Sequence, residues 1–146
     1  MKSFLIILSS LALLCVCLIQ GCAGTGSDVS PLEQAEHAVA NGRYAVAQEL
    51  CDSMILGDRF GSMSVEELCR LSLVFMRLSE NNTSGEEANT AFAARSLQAA
   101  IAADADSALL FLKNVPVEDQ ARAALITAIS EAHNTPAISD TIYYAE

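Results

Sequence analysis

Nucleophilic, metal-assisted or acid–base chemistry needs thiols, imidazoles or paired carboxylates, and this 146-residue chain holds few in useful arrangements. Neither of its two histidines, His37 and His133, belongs to a cluster of Cys, His and carboxylate at metal-ligand spacing, so both read as solvated surface side chains. Glu66-Glu67 and Glu86-Glu87 look like acid/base pairs, but adjacent residues on a helix point apart, and a helix's first turn favours negative charge. They read as structural. No Gly-x-Ser-x-Gly elbow, phosphate-cradling glycine loop or Cys-x-x-Cys occurs. The residues therefore point to no catalytic site, no cofactor and no metal, and to a protein that is not an enzyme. Asn81-Asn82-Thr83, Asp106-Ser107-Ala108 and Asp140-Thr141-Ile142 match short glycosylation patterns, each brief enough to arise by chance.

Charge narrows the partners. Eighteen acidic against eight basic residues give a formal charge of −10, and the basic side chains are scattered. They form no run to hold phosphates or anionic head groups, which argues against nucleic acid and against a membrane-binding surface patch.

Any membrane attachment must then come from the N-terminus. Lys2 supplies a positive start, Phe4 to Ile19 is a 16-residue stretch with nothing more polar than Ser9 and Ser10, and Gly21 stands directly before Cys22. This is the layout of a cleaved secretory signal. It is short for a spanning helix, which needs about 20 apolar residues, and no positive cluster follows to stop transfer.

The residues Ile19-Gln20-Gly21-Cys22 resemble the lipobox of bacterial lipoproteins: an aliphatic residue, a variable one, a small one, then the cysteine that receives diacylglycerol before cleavage. The resemblance implies a signal peptide over residues 1–21 and a thioether lipid and acylated (palmitate-type) N-terminus on Cys22. Several buried acyl chains, at about 0.8 kcal/mol per CH₂, make such attachment effectively permanent. Ala23, being other than Asp, implies sorting to the outer membrane facing the periplasm in a Gram-negative cell. Residues 22–29 are then the lipidated terminus and a flexible tether.

Cys15 and Cys17 leave with the signal, so once Cys22 is lipidated Cys51 and Cys69 remain. In an oxidising compartment the pair could form a disulfide; equally, they could be two small buried side chains on helix faces.

The elements are legible from local signals. Ser30-Pro31-Leu32-Glu33, Ser64-Val65-Glu66-Glu67 and Ser84-Gly85-Glu86-Glu87 are capping boxes, each predicting a helix start. Leu32, Ala35 and Val39 mark a first helix ending at Asn41-Gly42; Tyr44, Ala47, Leu50, Cys51, Met54 and Ile55 mark a second, stopped by Gly57. Leu68, Leu71, Phe75 and Leu78 mark a third, apolar on most sides and therefore central. Nine alanines among the eighteen residues from Ala88 to Ala105 predict a fourth helix that lets neighbours approach closely. Asp104 or Asp106 caps a short fifth carrying Leu109, Leu110 and Leu112. Pro116 opens a sixth, with an inward stripe expected at Val117, Ala121, Ala124, Leu125, Ala128 and Ile129, stopping before Pro136. The spacing predicts an all-α domain over residues 30–133, about six antiparallel helices stacked as hairpins, and a tail over 134–146 whose means of docking are Ile142, Tyr143 and Tyr144.

Asn41-Gly42-Arg43-Tyr44-Ala45-Val46-Ala47 resembles the turn and second-helix start of a tetratricopeptide repeat, with Ala35 at the small position of the preceding helix. Leu97, Ala100, Ile101 and Asp104 resemble the end of another second helix. Ala93, aligned with Ala47, lies 46 residues on instead of 34, so the resemblance implies a degenerate, α-solenoid-like stack. The opening helix pair also resembles the first repeat of lipoproteins in outer-membrane protein assembly, which are much longer.

Together these features favour a lipid-anchored, non-catalytic scaffold in the bacterial envelope that binds the bilayer through Cys22 and another envelope protein through its helices. The alternative is a small-ligand-binding or enzyme-inhibiting envelope lipoprotein. An open apolar groove marks the first; a closed pocket with a few convergent polar groups marks the second.

Overall fold

Six α-helices and one 3-10 turn, with no strand, make up residues 29–81 and 85–134, which are the residues described by the computed structural model. Helix α1 (Pro31–Ala40) starts at the expected capping box. The Glu33 amide donates to Ser30 Oγ at 3.2 Å, and the Ser30 amide donates to the Glu33 carboxylate at 3.0 Å. It ends where Gly42 takes φ +68°, a left-handed conformation that any side chain would strain. The Arg43 amide donates to the Ala38 carbonyl at 2.8 Å and closes the turn into α2 (Tyr44–Leu56).

Gly57 stops α2 for a different reason. A Cβ there would lie 2.6 Å from the Ser53 carbonyl oxygen. A 3-10 turn (Asp58–Ser62) leads to α3 (Val65–Asn81), whose box is again formed: the Glu67 amide donates to Ser64 Oγ at 3.2 Å and the Ser64 amide to the Glu67 carboxylate at 2.8 Å. Helix α4 (Glu86–Ala103) starts with Gly85 at its cap and no side-chain bond there, while Ser84 lies outside the described residues. Of the two aspartates that could cap α5 (Ala105–Lys113), Asp104 does so, accepting from the Ser107 amide at 3.1 Å. Helix α6 (Val117–Asn134) follows Pro116.

Helix α3 packs against all five other helices and is the central element its composition predicts. Leu71, Phe75 and Leu78 on it are fully buried, and the Phe75 and Phe92 rings meet at 5.3 Å, tilted at 50°. The most extensive contact is between α3 and α4, where the small side chains of Ala93, Ala94 and Ala100 face the core. An Arg70–Glu36 ion pair, with Arg70 Nε donating at 2.8 Å, ties α3 to α1.

The apolar residues of α5 and α6 do not all face the core. On α5, Leu112 is buried, but Leu109 and Leu110 are 50% and 63% exposed. On α6, the stripe expected inside stands outside: Val117 is 80% and Leu125 53% exposed, Ala121, Ala124 and Ala128 are exposed, and Ile129 alone is partly buried. The buried face of α6 is Asp119, Ala123, Ile126 and Ser130.

Candidate functional site

The rotation of α6 has an electrostatic cause that reaches back to the central helix. Asp119, buried, accepts from Arg77 Nε of α3 at 3.0 Å and from Arg122 Nη1 one turn on at 3.0 Å. Arg122 Nε in turn donates to both Glu80 oxygens at 2.9 Å. Burial opposes ionisation of Asp119, but the bonds and charge of Arg77, then those of Arg122, outweigh it and hold the carboxyl below the usual carboxylate range. Turning α6 to bury Val117 and Leu125 would pull Asp119 off Arg77 and leave a half-buried guanidinium without its carboxylate. It would also take Ala123 and Ile126 off the inner face, so exchanging the stripes brings little net apolar burial to offset the lost pair.

The consequence is an apolar surface at the C-terminal end of the described fold. α6 is apolar on two sides: inward at Ala123 and Ile126, outward at Val117, Ala121, Ala124, Leu125 and Ala128. Helix α5 stands beside it as a ridge with an open groove on either flank. One groove, about 400 Å³, runs between α5 and α6 and is lined by Leu109, Leu112, Ala123, Ala124 and Thr127, with Gln120 and Lys113 also on it. The other, about 560 Å³, lies between α5 and the start of α3 and is lined by Leu110, Phe111, Val115, Pro116 and Val65, with Glu66 at its edge. A third open groove, about 530 Å³, lies on the outer side of α1 and α2 among Gln34, His37, Arg43, Val46 and Leu50. It is the more polar of the three.

The residues singled out in the sequence divide into three groups. Cys22, the tail residues Ile142, Tyr143 and Tyr144, and the His133 side chain lie outside the described residues. Ala35, Gly42, Tyr44 and Ala47 come together where α1 meets α2: both alanines are fully buried, Gly42 makes the turn and Tyr44 packs against the core edge. His37 is exposed, with its ring against the Asn41 amide. Glu67 closes its capping box, and Glu66, Glu86 and Glu87 are exposed in first turns. Among the described residues, no group of three or more His, Cys, Asp or Glu side chains is placed to hold a metal ion.

Cys51 and Cys69 are free, buried thiols. Burial, then the nearby carboxylates of Asp52 and Glu36, push Cys51 up to about 12; burial alone pushes Cys69 up to about 11. Neither forms appreciable thiolate near neutrality. Folded protein treated with iodoacetamide at pH 8 should keep both unmodified, and denaturant alone, without reductant, should expose both to alkylation. A requirement for reductant would show a disulfide instead.

Sequence reasoning missed the outward face of α6 and the pairing that sets it. The usable signal was Asp119, four residues before Ala123 and seven before Ile126, an acidic residue in register with the second apolar stripe of the helix.

Comparison with known protein families, with characterised proteins and with solved structures finds no match for this chain. Among the described residues, no helix is long and apolar enough to cross a membrane.

Proposed function

We propose that the protein is a non-catalytic binding module of the bacterial envelope, held at the outer membrane by acyl chains on Cys22 and engaging another envelope protein through the α5–α6 surface. One observation carries this reading: on the last two described helices Leu109 and Leu110 stand exposed on the walls of two open grooves, and Val117 and Leu125 stand exposed on the outer side of α6. Large apolar side chains left in water on neighbouring helices mark a contact site. The grooves are open and thinly polar, which suits a protein segment better than a small molecule held by convergent polar groups.

In this reading the helices stack as antiparallel hairpins in a degenerate tetratricopeptide-like array, with α1 and α2 as the first pair. Such arrays leave an extended face for partners, and their last helix has an outer side that a following element would cover. The acyl anchor and tether precede α1, whereas the apolar surface belongs to the last two described helices.

Two experiments test the two halves. For the anchor, Cys22→Ala should no longer yield a processed form held in the membrane pellet through a high-salt wash; a variant that is still processed and stays in the washed pellet removes the lipid anchor. For binding, a photocrosslinking residue at Leu125 or Leu110 of the full chain, in cells that produce it, should yield one reproducible protein adduct. No protein adduct, together with a small molecule copurifying in a cavity, would replace this reading with the ligand carrier.

A further inference from the structure

We infer that the α5–α6 surface is shaped for one kind of partner: an amphipathic helix with basic residues bordering its apolar stripe, laid along the outer side of α6. The inference rests on the binding reading above and names the partner's chemistry. Shape is the first argument. Val117, Ala121, Ala124, Leu125 and Ala128 recur at helical spacing along α6, so among the described residues the outward side is itself an unpartnered helix-packing face. Its middle is alanine, which lets a second helix axis come close, and its larger members, Val117 and Leu125, flank that shallow strip. Leu109 stands across the neighbouring groove as the other wall. A ridge of side chains on an incoming helix fits between them, as helices do in grooves.

Charge then chooses among the possible occupants. Asp106, one turn before Leu109 and Leu110 on α5, and Glu118, one turn before Ala121 on α6, are exposed, while Lys113 is the charged side chain lining the groove. The chain carries −10 in all. A second copy would bring an equal negative charge. Residues 135–146 contain Asp140 and Glu146 and no lysine or arginine, so they too add negative charge. A helix bordered by lysine or arginine satisfies both the apolar strip and the exposed acidic side chains, and long-range attraction speeds its encounter.

The test uses the full lipidated chain in phosphatidylcholine vesicles and three labelled 18-residue peptides: a leucine-striped helix with lysine borders, its twin with glutamate borders, and a scrambled lysine version. Signal from chain-free vesicles is subtracted. The lysine-bordered helix should bind about tenfold or more tightly than the other two, and its binding should weaken severalfold between low and physiological salt. Leu125→Gln with Leu109→Gln, at exposed positions that leave the core intact, should abolish the preference, as should Glu118→Lys with Asp106→Lys. Equal binding of the lysine and glutamate helices, or binding untouched by these substitutions, overturns the inference. So does disulfide-linked dimer formation by a Leu125→Cys variant, which assigns the face to a second copy, or binding seen only after removal of residues 135–146, which assigns it to that segment. If photocrosslinking from Leu125 in cells still captures one protein whose contacting segment is not basic, the partner's chemistry falls and the binding module stands. If neither experiment finds a protein, both fall.

Discussion

Ile126→Ala should lower the stability of the protein by about 2–5 kcal/mol, while Leu125→Ala, one residue earlier and of similar size, should change it by less than about 1 kcal/mol. Ile126 is fully buried on the inner side of α6, so truncation leaves a cavity among its neighbours from α3 and α4. Leu125 is 53% exposed, and its truncation removes methyl groups that water already reaches. In a domain of this size the first change lowers the melting temperature by roughly 8–20 °C and the second by a few degrees at most. Thermal unfolding followed by circular dichroism reads both directly. The opposite order, a costly Leu125 and a tolerant Ile126, would turn α6 half a revolution, bury the proposed docking face and remove the main support for the binding reading.

The second large effect belongs to Asp119. Asp119→Ala should cost about 2–3 kcal/mol, less than a fully buried pair because the Arg77 and Arg122 side chains keep 28% and 24% of their exposure. The loss arises chiefly from Arg77, which stays behind α6 without a carboxylate. Replacing both residues, Asp119→Leu with Arg77→Met, should recover most of it, since no unpaired charge is then left. The pH dependence has a definite sign. The folded carboxyl titrates below its unfolded value, so its contribution is complete above about pH 4–5 and disappears as pH falls through the folded value. The gap between the wild-type chain and Asp119→Asn should therefore be widest near neutrality and close in acid. A gap that is constant with pH would mean that Asp119 acts by packing and not by charge, and would leave the orientation of α6 without its electrostatic cause.

Local signals were read in the sequence wherever the physics is local. A capping box needs a serine and a glutamate three residues apart, so Ser30–Glu33 and Ser64–Glu67 announce α1 and α3 with no knowledge of the rest of the chain. Gly42 announces the turn into α2 for the same reason, since the left-handed conformation is a property of one residue. Where a helix has a single apolar stripe the buried face follows as well: Ala47, Cys51, Met54 and Ile55 of α2 are all inside. Helix α3, apolar nearly all round, has no competing orientation and is central.

Helix α6 is where the sequence alone could not decide. It carries two apolar stripes on opposite sides, one with Val117, Ala121, Ala124, Leu125 and Ala128, the other with Ala123 and Ile126 beside an acidic Asp119. Hydrophobicity counts favour the first. Only the tertiary structure brings Arg77, forty-two residues earlier in the chain, against Asp119, and that pairing turns the second stripe inward. The same holds for Arg122 with Glu80 and Arg70 with Glu36, which join helices far apart in sequence. Caps, turns and periodicity act over a few residues and are written there, whereas the choice between two faces of similar hydrophobicity depends on which charge a distant helix presents, and that exists only once the helices have packed.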